Sequence, residues 1–219
     1  MATAQQLEQR VVIVVLGAFN PSIFHPSWFG QEQLLRAEDA EAAQLEIAHP
    51  EITIFQLDWL RFEATRDRLA VHSLRESHYE AARDLVVGAL ELLRHTPTRA
   101  LGVNHNVVVE CGSREAFDNL GWELVPRESW VSILERPGMV RLDEQGLRTD
   151  GREGYIRVRV EPIMDGGTKV LLEVNDHFEV SVKNSAKSTE EIRTLLLGDW
   201  NSITRRATDI MHHMKGLIR

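Results

Sequence analysis

From Val11 to Leu16 the chain runs Val-Val-Ile-Val-Val-Leu with no polar interruption, which predicts a strand covered on both faces. The next segment, FNPSIFHPSWF, behaves differently. Pro21 and Pro26 oppose regular helix, and the rings of Phe19, Phe24, Trp28 and Phe29 need a surface to pack on. Gln31 to Gln44 has a helical composition but only a short apolar stripe, so a surface helix is expected. After His49-Pro50, the positions Ile52, Ile54, Phe55, Leu57, Trp59, Leu60 and Phe62 alternate imperfectly with polar ones. That pattern predicts a strand, a turn at Arg66-Asp67-Arg68 and a return strand over Leu69 to Ser73.

Helical periodicity follows. Ser77 and Glu80 have capping-box spacing, and Ala82, Leu85, Val86, Ala89, Leu90 and Leu93 then build one apolar face of a helix to about Arg94. It should end before His95-Thr96-Pro97. Val103 to Cys111 returns to a strand pattern, and Ser113 opens a short helix. Trp122, Trp130, Ile133 and Leu134 suggest a further amphipathic piece before Pro137-Gly138.

In the second half, Tyr155, Arg157, Arg159 and Glu161 alternate with Ile156, Val158 and Val160, the period of a half-exposed strand. Asp165-Gly166-Gly167 is a hairpin signal, because glycine supplies the positive φ of a tight turn. Lys169 to Val174 comes back, Asn175-Asp176-His177 reads as another turn in preference to a chemical site, and Phe178 to Val182 makes a third strand. A single long helix is expected from about Ser188, with the stripe Ile192, Leu196, Trp200, Ile203, Ala207, Ile210, Met214 and Leu217.

FEATRDRLAV (Phe62 to Val71) and LEVNDHFEV (Leu172 to Val180) share an order of apolar residue, Glu, apolar residue, polar turn and strand. A serine-capped helix follows each, so the two are candidate copies of one strands-then-helix unit. The expected fold class is therefore α+β: a mainly antiparallel sheet with two long amphipathic helices packed on it. Residues 1–219 are read as one globular domain. If it divides into subdomains 1–136 and 152–219, the break falls in the Gly- and Pro-containing stretch from Arg136 to Arg152.

Composition narrows the function. With 43% apolar and 26% charged residues, the 219-residue chain supports a substantial core. A formal net charge of −8 disfavours nucleic-acid binding, leaving Arg205-Arg206 and Lys215 to Arg219 as the best basic face. A single cysteine, Cys111, excludes an intrachain disulfide and fits a reducing compartment. The apolar run from Val11 lacks the flanks of a signal peptide and is far shorter than the ~20 residues that cross a bilayer. A cytoplasmic protein without membrane contact is expected.

Catalytic motifs are missing from the sequence: no GxGxxG, no GxxxxGK followed by Ser or Thr, no GxSxG and no HExxH. No catalytic residue, cofactor or metal is assigned. Had the nine histidines held a metal, His105, His177 and Asp176 are the first ligands to inspect. Cys111 has no neighbouring positive charge to activate it and reads as a small buried residue. The segment HTPTRALGVNHN is expected to be a helix-to-strand loop, in which Arg99, Asn104 and His105, with His177, are the candidate ligand-binding residues. Phe24, Trp28 and Phe29 are candidate partner anchors, with plugging the end of the sheet as the alternative.

The phrases HTPTRALGVN, GYIRVRVEP and VNDHFEV resemble those of a family of uncharacterised bacterial proteins of about this length. The resemblance covers most of the chain, carries no catalytic signature, and implies a bacterial cytoplasmic setting and no activity. The leading expectation is thus a non-catalytic interaction subunit or adaptor of a bacterial assembly, binding other protein subunits and self-associating. The alternative is a small-molecule-binding protein or enzyme with a pocket between sheet and helix near residues 95–106.

Overall fold

The computed structural model describes residues 4–180 and 185–219. In chain order its strands are β1 (Gln5–Gly17), β2 (Gln44–His49), β3 (Ile52–Gln56), β4 (Leu60–Thr65), β5 (Arg68–Ser73), β6 (Thr98–Glu110), β7 (Leu142–Leu147), β8 (Gly154–Pro162) and β9 (Lys169–Glu179). Its helices are α1 (Pro26–Gln31), α2 (Ala37–Ala42), α3 (Tyr79–Leu92), α4 (Arg114–Leu124), α5 (Ser185–Gly198) and α6 (Trp200–Gly216). The strands form one antiparallel sheet in the order β2-β3-β4-β5-β1-β6-β9-β8-β7, and the helices make the fold α+β.

The order repeats about the central pair. Outward from β1 come β5, β4, β3 and β2; outward from β6 come β9, β8 and β7. Each half lays its last strand beside its first and then sends helix across the same face. There Val11, Ile13, Val15, Leu101 and Val103 pack with Leu85, Val86 and Leu90 of α3 and Ile192 and Leu196 of α5. A second cluster joins Val107, Val109, Leu172 and Val174 to Ala207, Met211 and Met214 of α6 and Leu120 of α4. The opposite face of the sheet is mostly polar, with Arg61, His72, Asn104, Asn175 and Arg157 in one row and Val12 and Val14 near its centre.

Several local expectations are corrected. Asn175-Asp176-His177 is no turn: β9 runs straight through it, and Asn104 pairs with Asn175, Val103 with Asp176 and Gly102 with His177. Arg66-Asp67, by contrast, does turn β4 into β5, so the two compared segments are not structural counterparts. Positions 181 and 182, expected to extend a strand from Phe178, lie outside the described residues. The segment His95 to Asn106 is strand β6 from Thr98 onward, and the sheet passes unbroken between the halves, with β7 formed inside the expected break.

The helices differ too. Pro26 starts α1 rather than blocking helix, since the first helical position needs no N–H and Pro holds the required φ. The residues Ile52 to Phe62 form two strands, with the Leu57 N–H returning to the Leu60 carbonyl at 2.7 Å. A 3-10 turn at Glu76–His78 precedes α3, so Ser77 does not cap it. Ser113 does cap α4, accepting from Ala116 N–H at 3.0 Å. The expected long helix is broken at Asp199, and Ser188 lies inside α5, where its Oγ accepts from the Thr98 hydroxyl at 3.0 Å. At 1.5 Å per residue α6 is about 25 Å long. Among the described residues, no helix is long and apolar enough to cross a membrane.

Candidate functional site

Strand register puts the uncovered face in rows. One row crosses all nine strands as Gln44, Gln56, Arg61, His72, Val12, Asn104, Asn175, Arg157 and Gln145. The next carries Glu63, Ala70, Val14, Gly102, His177 and Tyr155. Because Ala70 and Gly102 project little or nothing, the sheet is hollowed at its centre into a groove of about 450 Å³. Its base includes Val12, Val14 and Gly102, and the stacked rings of Tyr155 and His177, 4.3 Å apart and 15° from parallel, stand over one side. Arg68 and His72 stand opposite.

Polar atoms in the groove are unevenly matched. The Asn104 side-chain N–H donates to the Val12 carbonyl at 3.3 Å, and His177 Nε2 meets Glu179 at 2.9 Å. Asn175 Oδ1 and His72 Nε2 are buried with no hydrogen-bond partner among the described residues. Burial, helped by Arg68, pushes the His72 pKa down to about 4, so its ring is neutral at ordinary pH. At one end Arg10 lines the groove without an ion pair among the described residues, whereas Arg68 is held by Glu63 at 2.7 Å.

Of the four residues read as ligand-binding, the structure brings two together. Asn104 and His177 both line the groove. Arg99 is exposed at the start of β6, and His105 points to the helix side because odd and even positions of a strand face opposite ways. His105 lies 7% exposed, edge-on to the Tyr79 ring at 6.5 Å, with both ring nitrogens unpartnered among the described residues. Burial pushes its pKa to about 4. The cavity found near this part of the chain is therefore on the open face, away from the helices, and His105 is not in it. The same alternation separates Asp176 from His177, and no three His, Cys, Asp or Glu side chains among the described residues gather as metal ligands.

Asp176, read in the sequence as part of a turn and as a candidate metal ligand, is instead an ion-pair centre. It occupies an apolar row, between Val103 on β6 and Ile156 on β8, on the face covered by helices. Its carboxylate, 1% exposed, binds Arg148 and also Arg206 of α6, the latter at 2.7 Å. Asp150 completes the cluster, with Arg148 at 2.5 Å and Arg206 at 2.8 Å, and its pKa is held down to about 2, chiefly by its hydrogen bond from Arg148. The Arg148 guanidinium lies 3.7 Å over the Phe178 ring and donates to the His177 carbonyl at 3.1 Å. With two cations against two anions, the charges balance, and the cluster fastens α6 and the β7–β8 connection to β9. Arg206, read as part of a basic face, is committed to this internal contact.

The aromatic residues at the N-terminal side also move. Phe24 and Phe29 are fully buried against Phe62, at 5.4 and 5.0 Å between ring centroids, which places them inside the core and leaves only Trp28 in reach of solvent. The exposed aromatics lie elsewhere. Trp122, Trp130, Ile133, Leu134 and Val140 form an apolar surface where an amphipathic piece was expected; the chain there makes a 3-10 turn at Arg127–Ser129 and further turns, so both tryptophans stay at the surface. A cleft of about 440 Å³ opens between α4, residues 136–140 and the β8–β9 hairpin. Arg127 lies 5.0 Å over the Trp122 ring, and neither Arg127 nor Arg136 has a carboxylate partner among the described residues.

No protein-family model matches the chain, and no curated protein does.

Proposed function

We propose that the protein is a non-catalytic interaction subunit of a bacterial cytoplasmic assembly, and that the surface around Trp122, Trp130, Ile133, Leu134 and Val140 docks an acidic, apolar segment of a partner protein. The observation that carries this reading is the coincidence of large apolar side chains at the surface with guanidinium groups that have no carboxylate partner among the described residues. Val140, 74% exposed, and Trp122 line the cleft that Arg127 and Arg136 rim, and Ile133, 69% exposed, is next in the chain to Leu134. Contiguous apolar surface loses free energy to water until it is covered, and Trp and Arg are the side chains that most often dominate such contacts. The positive charges of Arg127 and Arg136 select the partner's chemistry: carboxylates beside apolar side chains satisfy both features at once.

A photo-cross-linking phenylalanine derivative placed at position 133 in the host cell tests this. The expected result is an adduct with another protein through a peptide rich in Asp or Glu and apolar residues, absent when the group is placed at Glu161 on the open sheet face. Labelling equal to that control, or a basic cross-linked peptide, overturns the reading. A second copy of this chain in the adduct replaces the separate partner with self-association.

A further inference from the structure

We infer that the groove on the uncovered sheet face is a binding site for a small aliphatic carboxylate that also carries an amide or amine N–H donor. Three observations converge, and none depends on the apolar surface around Trp130. First, Asn175 Oδ1 is a buried acceptor with no protein donor among the described residues, although Asn104 lies directly across from it. An acceptor removed from water and left unpaired costs free energy, which a ligand N–H recovers. Second, Arg10 supplies a positive charge at the end of the groove and makes no ion pair among the described residues. Third, Val12 stands in the same row as Asn175 and Val14 in the next, an apolar strip along the β1 side of the groove over which methylene groups lose contact with water.

The spacing sets the size of the ligand. Arg10 lies opposite Asn106, and Asn106 opposite Glu173, two residues before Asn175. With strands ~4.8 Å apart and a rise of ~3.4 Å per residue, the Arg10 and Asn175 backbones are about 12 Å apart. A reach of that length, shortened by the arginine side chain, suits a carboxylate and an amide separated by a few methylenes. A groove of about 450 Å³ has ample room for it. Gly102 matters because its missing side chain keeps the base open: a Cβ there would lie 3.5 Å from Asn175 Oδ1. Glu173, held near Arg159 at 3.8 Å, borders the same end and disfavours ligands with a second negative charge.

The test uses the full chain and three compounds: adipamate, with one carboxylate and one primary amide on four methylenes; adipate, with two carboxylates; and adipamide, with two amides. Calorimetric titration is expected to show adipamate binding about tenfold or more tighter than either relative, the usual margin for one charge-assisted hydrogen bond. Arg10→Met should remove its advantage over adipamide, and Asn175→Leu its advantage over adipate. In the unsubstituted protein, the Gly102 and Asn175 backbone amide resonances should shift on adding adipamate, a readout that stands even if a variant folds poorly. Equal affinity for all three, no binding of adipamate at millimolar concentration, or shifts confined to residues outside the groove would overturn the assignment.

Discussion

Asp176 on β9 accepts Arg206 from α6 at 2.7 Å, in a row where its strand neighbours Val103 and Ile156 are apolar. The carboxylate holds Arg148 with its other oxygen, so its removal leaves two guanidinium groups short of a partner. Asp176→Ala should therefore destabilise the fold by about 3–5 kcal/mol, the usual cost of breaking a buried pair from one side. Arg206→Ala leaves Asp176 with Arg148 and should cost about 1–3 kcal/mol. Urea unfolding midpoints of the two variants give the comparison, and equal losses would show that Arg148 does not sustain the carboxylate alone.

The two histidines with lowered pKa values should make the protein acid-sensitive above the range where carboxylates protonate. His72 and His105 titrate near 4 when folded, against 6.5 when unfolded, so the unfolded chain binds more protons between those values. Stability present above pH 6.5 is lost as pH falls toward 4, by up to about 3 kcal/mol for His105. His105→Leu should flatten this part of a stability-against-pH curve. Asp150 acts in a lower window: its stabilising contribution fades as pH falls from 3.8 through about 2.

Two glycines should respond in opposite ways to alanine. Gly154 has φ +131°, and a Cβ would lie 2.1 Å from the His177 carbonyl oxygen, so Gly154→Ala should cost more than about 3 kcal/mol. Gly102 has ordinary room, with nothing nearer than 3.5 Å, and Gly102→Ala should be neutral or stabilising by up to about 1 kcal/mol. Thermal melts of both variants decide this.

Cys111 is fully buried, and burial, with Glu110 nearby, pushes its thiol up to about 11. Since the thiolate is the reactive form, a disulfide reagent at pH 8 should label it at least about a hundredfold more slowly in the folded protein than in guanidinium. A fast native reaction would place the sulfur at an accessible position.

The parts of the fold that could be read in advance are those whose pattern has one physical explanation. The run from Val11 is a strand, although helices cover only its Val11, Ile13 and Val15 side and Val12 and Val14 face the open groove; the alternation around Ile156 is a strand as read, and Ala82 to Leu90 is a helix because its apolar positions return every turn. Asn175-Asp176-His177 misled because turn-favouring residues were judged without the neighbouring strands. Pairing to β6 and β8 satisfies their backbone, and Arg148 and Arg206, 28 and 30 residues away, satisfy Asp176. The groove was half legible, in Asn104 and His177. Its other residues, His72, Arg10 and Asn175, come from three strands whose register depends on contacts across the whole chain. Period-two alternation in β6 was the available signal that Asn104 and His105 part company.

The central position of β1 has a consequence for how the protein is made. Val12 is flanked by His72 on one side and Asn104 on the other, so neither edge of this most apolar strand can be covered until much later residues have been synthesised. A nascent chain emerging from the ribosome would carry an open template for strand pairing throughout that interval. Folding then depends on closing distant segments before neighbouring chains do so, which makes the yield of active protein sensitive to translation speed, temperature and chaperone supply even where the finished molecule is stable.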